Sequence, residues 1–354
     1  MDFGGYGLVM IYLYEADCCD PRTGYGGLFH SLSLALLKAA PDTVACYRPG
    51  SLPEGIPCDV DLYFGQPYVN TDEQIGKRYG RLKGIYTMHE RQQAPYEFIR
   101  CIEKYFDFII VPTEWCKTLF ERIFPDHPVY VSPAGVDTYL YPYYERPADR
   151  NPFTFLWQGF AINDRKNYQL VHEAFRKLAL PNSRLIIKSF SRASLSKVNY
   201  AMHDKKQNES WISDNCNHAE KLSFWQRCDF AVMPSNAEGI GMMPLEWMSS
   251  GLPCAFTNNT GAATYCDERF NYPLPATQLG QYDDLVAYSR PTLGSVMDIM
   301  NHAYHSREEI QNKASLAAMW IRANHSTEIA AEKLLSTVNG IVKDFEGAQC
   351  KKSA

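Results

Sequence analysis

No Cys-x-x-Cys occurs among the eleven cysteines, which excludes zinc ribbons and thioredoxin-type redox motifs. The cysteine count is odd and the spacing irregular, from the adjacent Cys18 and Cys19 to the scattered Cys216, Cys228, Cys254 and Cys266. Such usage fits reduced, mostly buried thiols and a cytoplasmic protein. Long apolar runs are missing as well. The strongest, "GLVMIYLY" and "YFDFIIV", are strand length, far short of the roughly 20 residues of a spanning helix. The opening Met-Asp-Phe-Gly-Gly carries no basic region, so no secretory signal is expected, and the closing "CKKSA" does not match a prenylation box. Charge of one sign is not in large excess: 35 Lys and Arg against 40 Asp and Glu give −5. The chain as a whole is therefore no electrostatic binder of nucleic acid. No Gly-x-Gly-x-x-Gly lies between the first strand and first helix, which disfavours a Rossmann dehydrogenase. There is no internal repeat and no low-complexity segment.

What is present is globular. The 354 residues are 45% hydrophobic and 21% charged, values of a folded chain long enough for two domains. Short apolar runs alternate with helical patterns. "GLVMIYLY", "TVACYR", "VDLYFG", "LKGIYTMH", "FDFIIVP" and "PVYVSPAG" read as strands, and "LFHSLSLALLKAA", "YEFIRCIEKY" and "EWCKTLFERIF" as helices. The pattern then restarts: strand "FTFLWQG", helix "NYQLVHEAFRKLA", strand "RLIIKS", helix "AEKLSFWQRC", strand "DFAVMPS", helix "PLEWMSSG", strand "PCAFT". From about Thr292 the chain reads as mostly helical. Strands alternating with helices predict parallel sheets covered on both faces. The expected class is α/β, with two doubly wound Rossmann-like domains facing across a cleft. Residues 1–148 form the first, 149–325 the second, and 326–354 a helix returning to the first. The segment Thr138 to Pro152, with three prolines, has a linker composition. Ligands of such sheets bind beyond the carboxyl ends of the strands.

The most informative stretch is "SNAEGIGMMPLEWMSSGLPCAF", in which Glu238 and Glu246 stand eight positions apart. The loop of Glu238, Gly239, Ile240 and Gly241 follows a strand, and its glycines let main-chain amides approach a ligand. A helix is expected to begin near Pro244, with Glu246 in its first turn. The amides of Gly241, Met242 and Met243 then suit a phosphate or a sugar hydroxyl. On spacing alone Glu246 also reads as a first-turn acid favouring the helix dipole, and Glu238 as a solvated loop carboxylate. Trp225 and Trp247 read as helix-face core.

"PSNAEGIGMMPLEWMSSGLPCAFTNNTG" resembles the signature of glycosyltransferase family 4, retaining enzymes of the GT-B fold whose two glutamates are separated by seven residues. "FLWQGFAINDRKNYQLVHEAFRKL" is similar to the family's strand, basic pair and helix opening the donor domain. "FDFIIVPTEWCKTLFERIFPDHPVYVSPAGVDTYLY" is similar to the closing segment of its first domain, and "TGYGGLFHSLSLALL" to the glycine loop and first helix of the acceptor domain. The likeness touches most of residues 1 to 270.

The resemblance implies roles residue by residue. Glu238 contacts the donor sugar hydroxyls. The amides of Gly239, Ile240, Gly241, Met242 and Met243 cradle sugar and phosphate. Glu246 binds the ribose hydroxyls. Lys166 in "DRKN" matches the basic pair's lysine. The family's arginine follows the glycine after the strand, but here Phe160 follows Gly159, and Arg165 is the nearest substitute. His89 in "IYTMHE" stands where a histidine faces the sugar, and Gly26 and Gly27 where the family has its glycine loop. His89 also reads as a packed strand-end residue, Arg165 and Lys166 as solvated charges, and the glycine pair as a plain turn. The implied activity is transfer of a hexose from a nucleotide sugar, GDP-mannose or UDP-glucose, to a hydroxyl of a glycan or other acceptor. The acceptor enters on the leaving-group side, with His89 and Glu238 positioning rather than attacking. Fixed cations and amides aimed at the diphosphate stabilise the charge that builds there; no Asp-x-Asp is then needed to hold a metal and none is read in the sequence, so no cofactor and no metal are expected. No transmembrane segment is expected either, though contact with a membrane surface is compatible. The competing readings are an inactive nucleotide-sugar-binding module and a GT-B relative with epimerase or phosphorylase chemistry.

Overall fold

The computed structural model describes residues 10–15, 24–47, 58–67, 80–90, 93–161, 164–189, 206–213, 216–283 and 286–353. Cys18, Cys19 and most of the loop "ADCCDPRTGYGG" lie outside the described residues. The chain divides into two compact units. The first comprises Met1–His89, Gln93–Gly135 and Thr327–Ala354, the second Glu90–Gln92 and Val136–Ser326.

The first unit is built on a six-stranded parallel sheet in the order β2-β1-β3-β4-β5-β6. Its strands are β1 (Ile11–Glu15), β2 (Val44–Tyr47), β3 (Cys58–Phe64), β4 (Gly80–Tyr86), β5 (Phe108–Val111) and β6 (Val129–Val131). The helices are α1 (Gly24–Ala39), α2 (Tyr96–Tyr105) and α3 (Glu114–Ile123). α3 starts where the sequence "PTEW" places a cap: the Thr113 hydroxyl accepts the Cys116 amide at 3.1 Å, satisfying one of the unpaired first-turn donors. The chain's last helix, α9 by position (Thr327–Ser353), packs against α1.

The second unit repeats the plan in the order β12-β11-β10-β7-β8-β9, again all parallel. Its strands are β7 (Phe153–Gly159), β8 (Ser183–Ser189), β9 (Glu209–Ser213), β10 (Phe230–Met233), β11 (Cys254–Thr257) and β12 (Tyr272–Leu274). The covering helices are α4 (Tyr168–Leu178), α5 (His218–Trp225), α6 (Met242–Ser249), α7 (Leu293–His305) and α8 (Arg307–Asn324), with an antiparallel pair β13 (Gln278–Asp283) and β14 (Val286–Arg290) alongside. Every residue of β7 is buried, as continuous apolar strands of two-sided sheets are. Trp157, Trp225 and Trp247 are fully buried, which bears out the core reading of the two helical tryptophans. Strand order runs outward from β7 in both directions, so the order reverses between β7 and β10. That reversal opens a crevice beyond the carboxyl ends of these two strands.

Four readings from sequence need correction or completion. Residues 138–152 are part of the second unit, packed into it rather than free. The Arg146 guanidinium, 4% exposed, donates to the carbonyls of Tyr144, Cys228, Ser250 and Trp225 at 3.0–3.3 Å. β9, β12 and the β13–β14 pair escape the apolar-run criterion. In β9 the polar Glu209 is buried because Arg176 grips it twice, at 2.8 and 3.0 Å. Gly26 and Gly27 lie inside the first turn of α1, which begins at Gly24, so any ligand role is that of a helix start and not of a loop. Finally, an Asp-x-Asp does occur, Asp59-Val60-Asp61 in β3. Its carboxylates bond the main chain, Asp59 taking the Met10 amide at 2.9 Å and Asp61 the Gly80 amide at 2.6 Å.

Candidate active site

Two loops meet at the crevice between β7 and β10. The loop after β7 ends in a single helical turn, Asp164–Lys166. Asn167 then takes the left-handed conformation at φ 48° as the cap of α4, a conformation asparagine tolerates best after glycine. Its amide reaches over to the loop after β10, donating to the Pro234 carbonyl at 2.8 Å and to the Asn236 side chain. The Asn236 amide returns a bond to the Arg165 carbonyl at 2.7 Å. These four groups fasten the two loops at the point where their charged side chains converge.

Glu238 sits at that point, 5% exposed. Lys166 Nζ donates to its Oε1, and Arg165 Nη1 lies 3.2 Å from its Oε2 while also donating to the Ala237 carbonyl at 2.7 Å. Burial alone would raise the Glu238 carboxyl, but Lys166 and Arg165 override it and hold the group down at about 2. For Lys166 burial and the neighbouring Arg165 win over Glu238 and lower the ammonium below its ordinary value. Arg165 Nη1 also lies 3.5 Å from Glu90 Oε1, so two cations face two carboxylates in a largely dry crevice, where charge interactions exceed those in water.

The glycines of this loop have steric duties. Gly241 is at φ 75°, and a Cβ there would stand 2.6 Å from the Tyr265 hydroxyl, which donates to the Gly241 carbonyl at 2.5 Å. A Cβ at Gly261 would lie 1.9 Å from the Gly239 carbonyl oxygen. The Glu238 amide is held by the Thr260 hydroxyl at 2.9 Å.

α6 starts at Met242, two residues earlier than expected, because Gly241 can make the left-handed turn that begins it. Glu246 is therefore the fifth helical residue and not a first-turn acid, which removes the dipole as its reason for being there. Gly241, Met242 and Met243 stand at the helix start as expected, and Ile240 is buried at 4% exposure. The Glu246 Oε2 accepts from Lys221 Nζ at 3.1 Å. Lys221 also donates to the Tyr141 hydroxyl at 3.0 Å, and that hydroxyl lies 2.7 Å from His218 Nδ1. Burial, and then the Glu246 charge, keep the Tyr141 phenol far above its ordinary range. Sequence reading missed Lys221, Tyr141 and His218. One signal was there: Lys221 falls on the same helical stripe as buried Phe224 and Trp225, an odd place for a lysine without a partner.

Of the expected residues, the structure brings together Glu238, Lys166 and Arg165, with Gly239 to Met243 and Glu246 following on the same segment. Phe160 is 41% exposed, and the guanidinium that stands at Glu238 is that of Arg165. His89 and the Gly26–Gly27 pair belong to the first unit. His89 is 7% exposed, its Nε2 donating to the Gln93 carbonyl at 3.0 Å and its ring 5.5 Å from that of Phe98. Among the described residues no group of three or more His, Cys, Asp or Glu is arranged to hold a metal, and no helix is long and apolar enough to cross a membrane.

Two tandem Rossmann-like units are the GT-B fold, and in this chain a basic pair and a glycine-bearing acidic loop stand at the switch point of the second. Residues 155–275 match the family model described as glycosyl transferases group 1. Similar solved structures span nearly the whole chain. The Anabaena protein HepE, in complex with UDP and glucose, is 14% identical with a TM-score of 0.67, over 94% of this chain and 100% of that one. Sucrose-phosphate synthase from Thermosynechococcus elongatus is 12% identical with a TM-score of 0.69, over 95% and 100%. A glycosyltransferase from Rickettsia africae is 11% identical with a TM-score of 0.69, over 95% and 99%. A search of curated proteins finds no match. The matched segment and the fold support a glycosyltransferase of the GT-B class.

Proposed function

We propose that this protein is a retaining glycosyltransferase of family 4 that moves a hexose from a nucleotide sugar to a hydroxyl acceptor. The observation that carries the reading is the convergence of Lys166 and Arg165 on Glu238 beyond β7 and β10. A sugar–phosphate bond breaks by building negative charge on the leaving diphosphate, and prepositioned cations and amides lower that barrier without reorganising. Lys166, Arg165 and the start of α6 supply them. Glu238 then turns from its cations to the hydroxyls of the hexose, and Glu246 takes the ribose. The cationic pair makes a divalent metal unnecessary.

UDP-glucose is the first donor to test, since HepE is bound to UDP and glucose, with GDP-mannose second. Purified protein incubated with each donor should release its nucleoside diphosphate, with or without EDTA, and the transferred hexose should keep its anomeric configuration by NMR. Release that needs added Mn²⁺ removes the metal-free mechanism, an inverted product removes the retaining one, and a panel of nucleotide sugars left intact by the protein sinks the whole reading.

A further inference from the structure

The opposite edge of the second unit's sheet carries a different cluster. At the amino ends of β7 and β8 lies a cavity of about 460 Å³ whose wall includes Arg150, Arg184 and Arg227, with Asn151, Ser223 and Gln226 among them. The arginines come from three places: just before β7, the second residue of β8, and the turn leaving α5. β7 has seven residues, so roughly 20 Å of strand separates this edge from Glu238. One small molecule cannot occupy both.

Charge here is out of balance. The nearby carboxylate is Asp229, buried, which accepts the Thr154 amide at 2.7 Å and pairs with Arg150 Nε at 3.3 Å. Arg150 also donates to the Gln226 carbonyl at 2.8 Å, which fixes its guanidinium in the wall. Arg146 and Arg307 act on the same aspartate, Arg307 being tied to the Arg150 carbonyl at 2.8 Å. Arg184 and Arg227 are exposed, and neither pairs with a carboxylate among the described residues. Three guanidiniums, of Arg150, Arg146 and Arg307, thus act on one carboxylate, and Arg184 and Arg227 add two more to the cavity wall, in a chain whose net charge is −5. Burial pushes that carboxyl up to about 6, which weakens the single counter-charge further as the pH falls. Packing accounts for Arg146, whose donors are spent on main-chain carbonyls, and in part for Arg227, whose guanidinium lies 5.8 Å from the centroid of the Phe224 ring, but not for Arg184.

Guanidinium forks match phosphate oxygens two at a time. The cavity has the size of small-molecule sites, about 300–1,000 Å³. Its amide and hydroxyl groups suit the neutral oxygens of a phosphate ester. We propose that this arginine-lined cavity is a second anion site, built for a phosphate monoester or diphosphate group and separate from the nucleotide-sugar site. Such a group reaches it either on a soluble phosphorylated molecule or as the headgroup of an anionic lipid.

The test uses the full chain and pyrophosphate, measured by calorimetry at low salt. Lys166→Ala removes one of the two cations at Glu238 and so weakens the competing site, and pyrophosphate should still bind this variant. Adding Arg184→Ala and Arg227→Ala, both exposed and so tolerated by the fold, should weaken that remaining binding at least tenfold. Sedimentation with phosphatidic acid vesicles, against phosphatidylcholine alone, assigns the source: capture that depends on the two arginines marks a lipid headgroup, and pyrophosphate binding without capture marks a soluble ligand. If Lys166→Ala abolishes all pyrophosphate binding, or if the double arginine change leaves it intact, there is no second site. Either outcome is independent of whether the protein transfers sugar.

Discussion

Lys221 holds Glu246 from the side: its Nζ stands 3.1 Å from Oε2, and the pair is nearly closed to solvent, at 9% and 13% side-chain exposure. With Oε2 on Lys221 and the Tyr141 phenol beside it, the carboxylate is held in one orientation. Lys221 in turn is fixed by the Tyr141 hydroxyl at 3.0 Å and by the faces of Tyr141 and Trp225, 5.2 and 5.3 Å from the ring centroids. Orientation of this kind sets the geometry a ribose would meet.

Under the proposed function, Glu246→Gln should weaken a bound nucleoside diphosphate by roughly 1.5–3 kcal/mol, the worth of a charge-assisted hydrogen bond, or about 10- to 100-fold. Lys221→Met should weaken it in the same direction through loss of orientation. The loss should shrink for a 2′-deoxynucleotide, which gives Glu246 less to hold. Equal affinity of wild type and Glu246→Gln for every nucleoside diphosphate that binds would remove the ribose role.

Glu238→Gln should separate binding from turnover. In the present arrangement the carboxylate neutralises much of the charge of Lys166 and Arg165. Removing it leaves both cations to the diphosphate. A unit charge about 5 Å away is worth roughly 3 kcal/mol at an effective dielectric constant near 20, and solvent in the crevice reduces that. Bare nucleoside diphosphate should therefore bind up to about tenfold more tightly while sugar transfer falls sharply. Weaker diphosphate binding in the glutamine variant would mean that Glu238 does not compete for these cations.

The architecture was readable because buried parallel strands announce themselves as apolar runs: β7, β10 and β11 were visible on that ground, as were the helices between them. β9 was not, because Glu209 is kept in its strand by Arg176 across 33 positions of sequence, a pairing no local pattern reveals. At the site, Glu238, Lys166 and Glu246 stood out through their motif. The start of α6 was misplaced because a proline at the third helical position looks like one at the first. Lys221 and Tyr141, 80 positions apart, meet only when residues 138–152 pack on the second unit. In that segment Arg146 acts as a bracket where composition suggested a tether.

That bracket gives a stability prediction. Arg146→Ala would take the donor from the Tyr144 and Cys228 carbonyls, while those of Ser250 and Trp225 keep main-chain donors; each donor lost costs about 1–3 kcal/mol. The variant should lose roughly 2–6 kcal/mol against urea, and Arg146→Lys should recover only part, because an ammonium cannot reproduce a planar fork. A wild-type midpoint in the alanine variant would show that the carbonyls find other partners.

Acid should expose the cost of breaking the Glu238 cluster. In the folded chain the Glu238 carboxyl is held at about 2, against an ordinary value of 4.5. A depressed carboxyl binds its proton less readily folded than unfolded, so below the ordinary value the unfolded state takes up more protons and stability falls with pH. The contribution is fully present above about pH 5 and disappears progressively toward about pH 2. At about 1.4 kcal/mol per pH unit of displacement, its ceiling is roughly 3 kcal/mol, and the group's burial means that solvent screening takes little of it. Urea midpoints measured from pH 6 down to pH 2.5 should fall more steeply for wild type than for Glu238→Gln, which has no proton to take up. The gap between the two curves should open below pH 5 and not above it. Parallel curves across the whole range would place the Glu238 carboxyl near its ordinary value and break the ion-pair cluster as the anchor of the site.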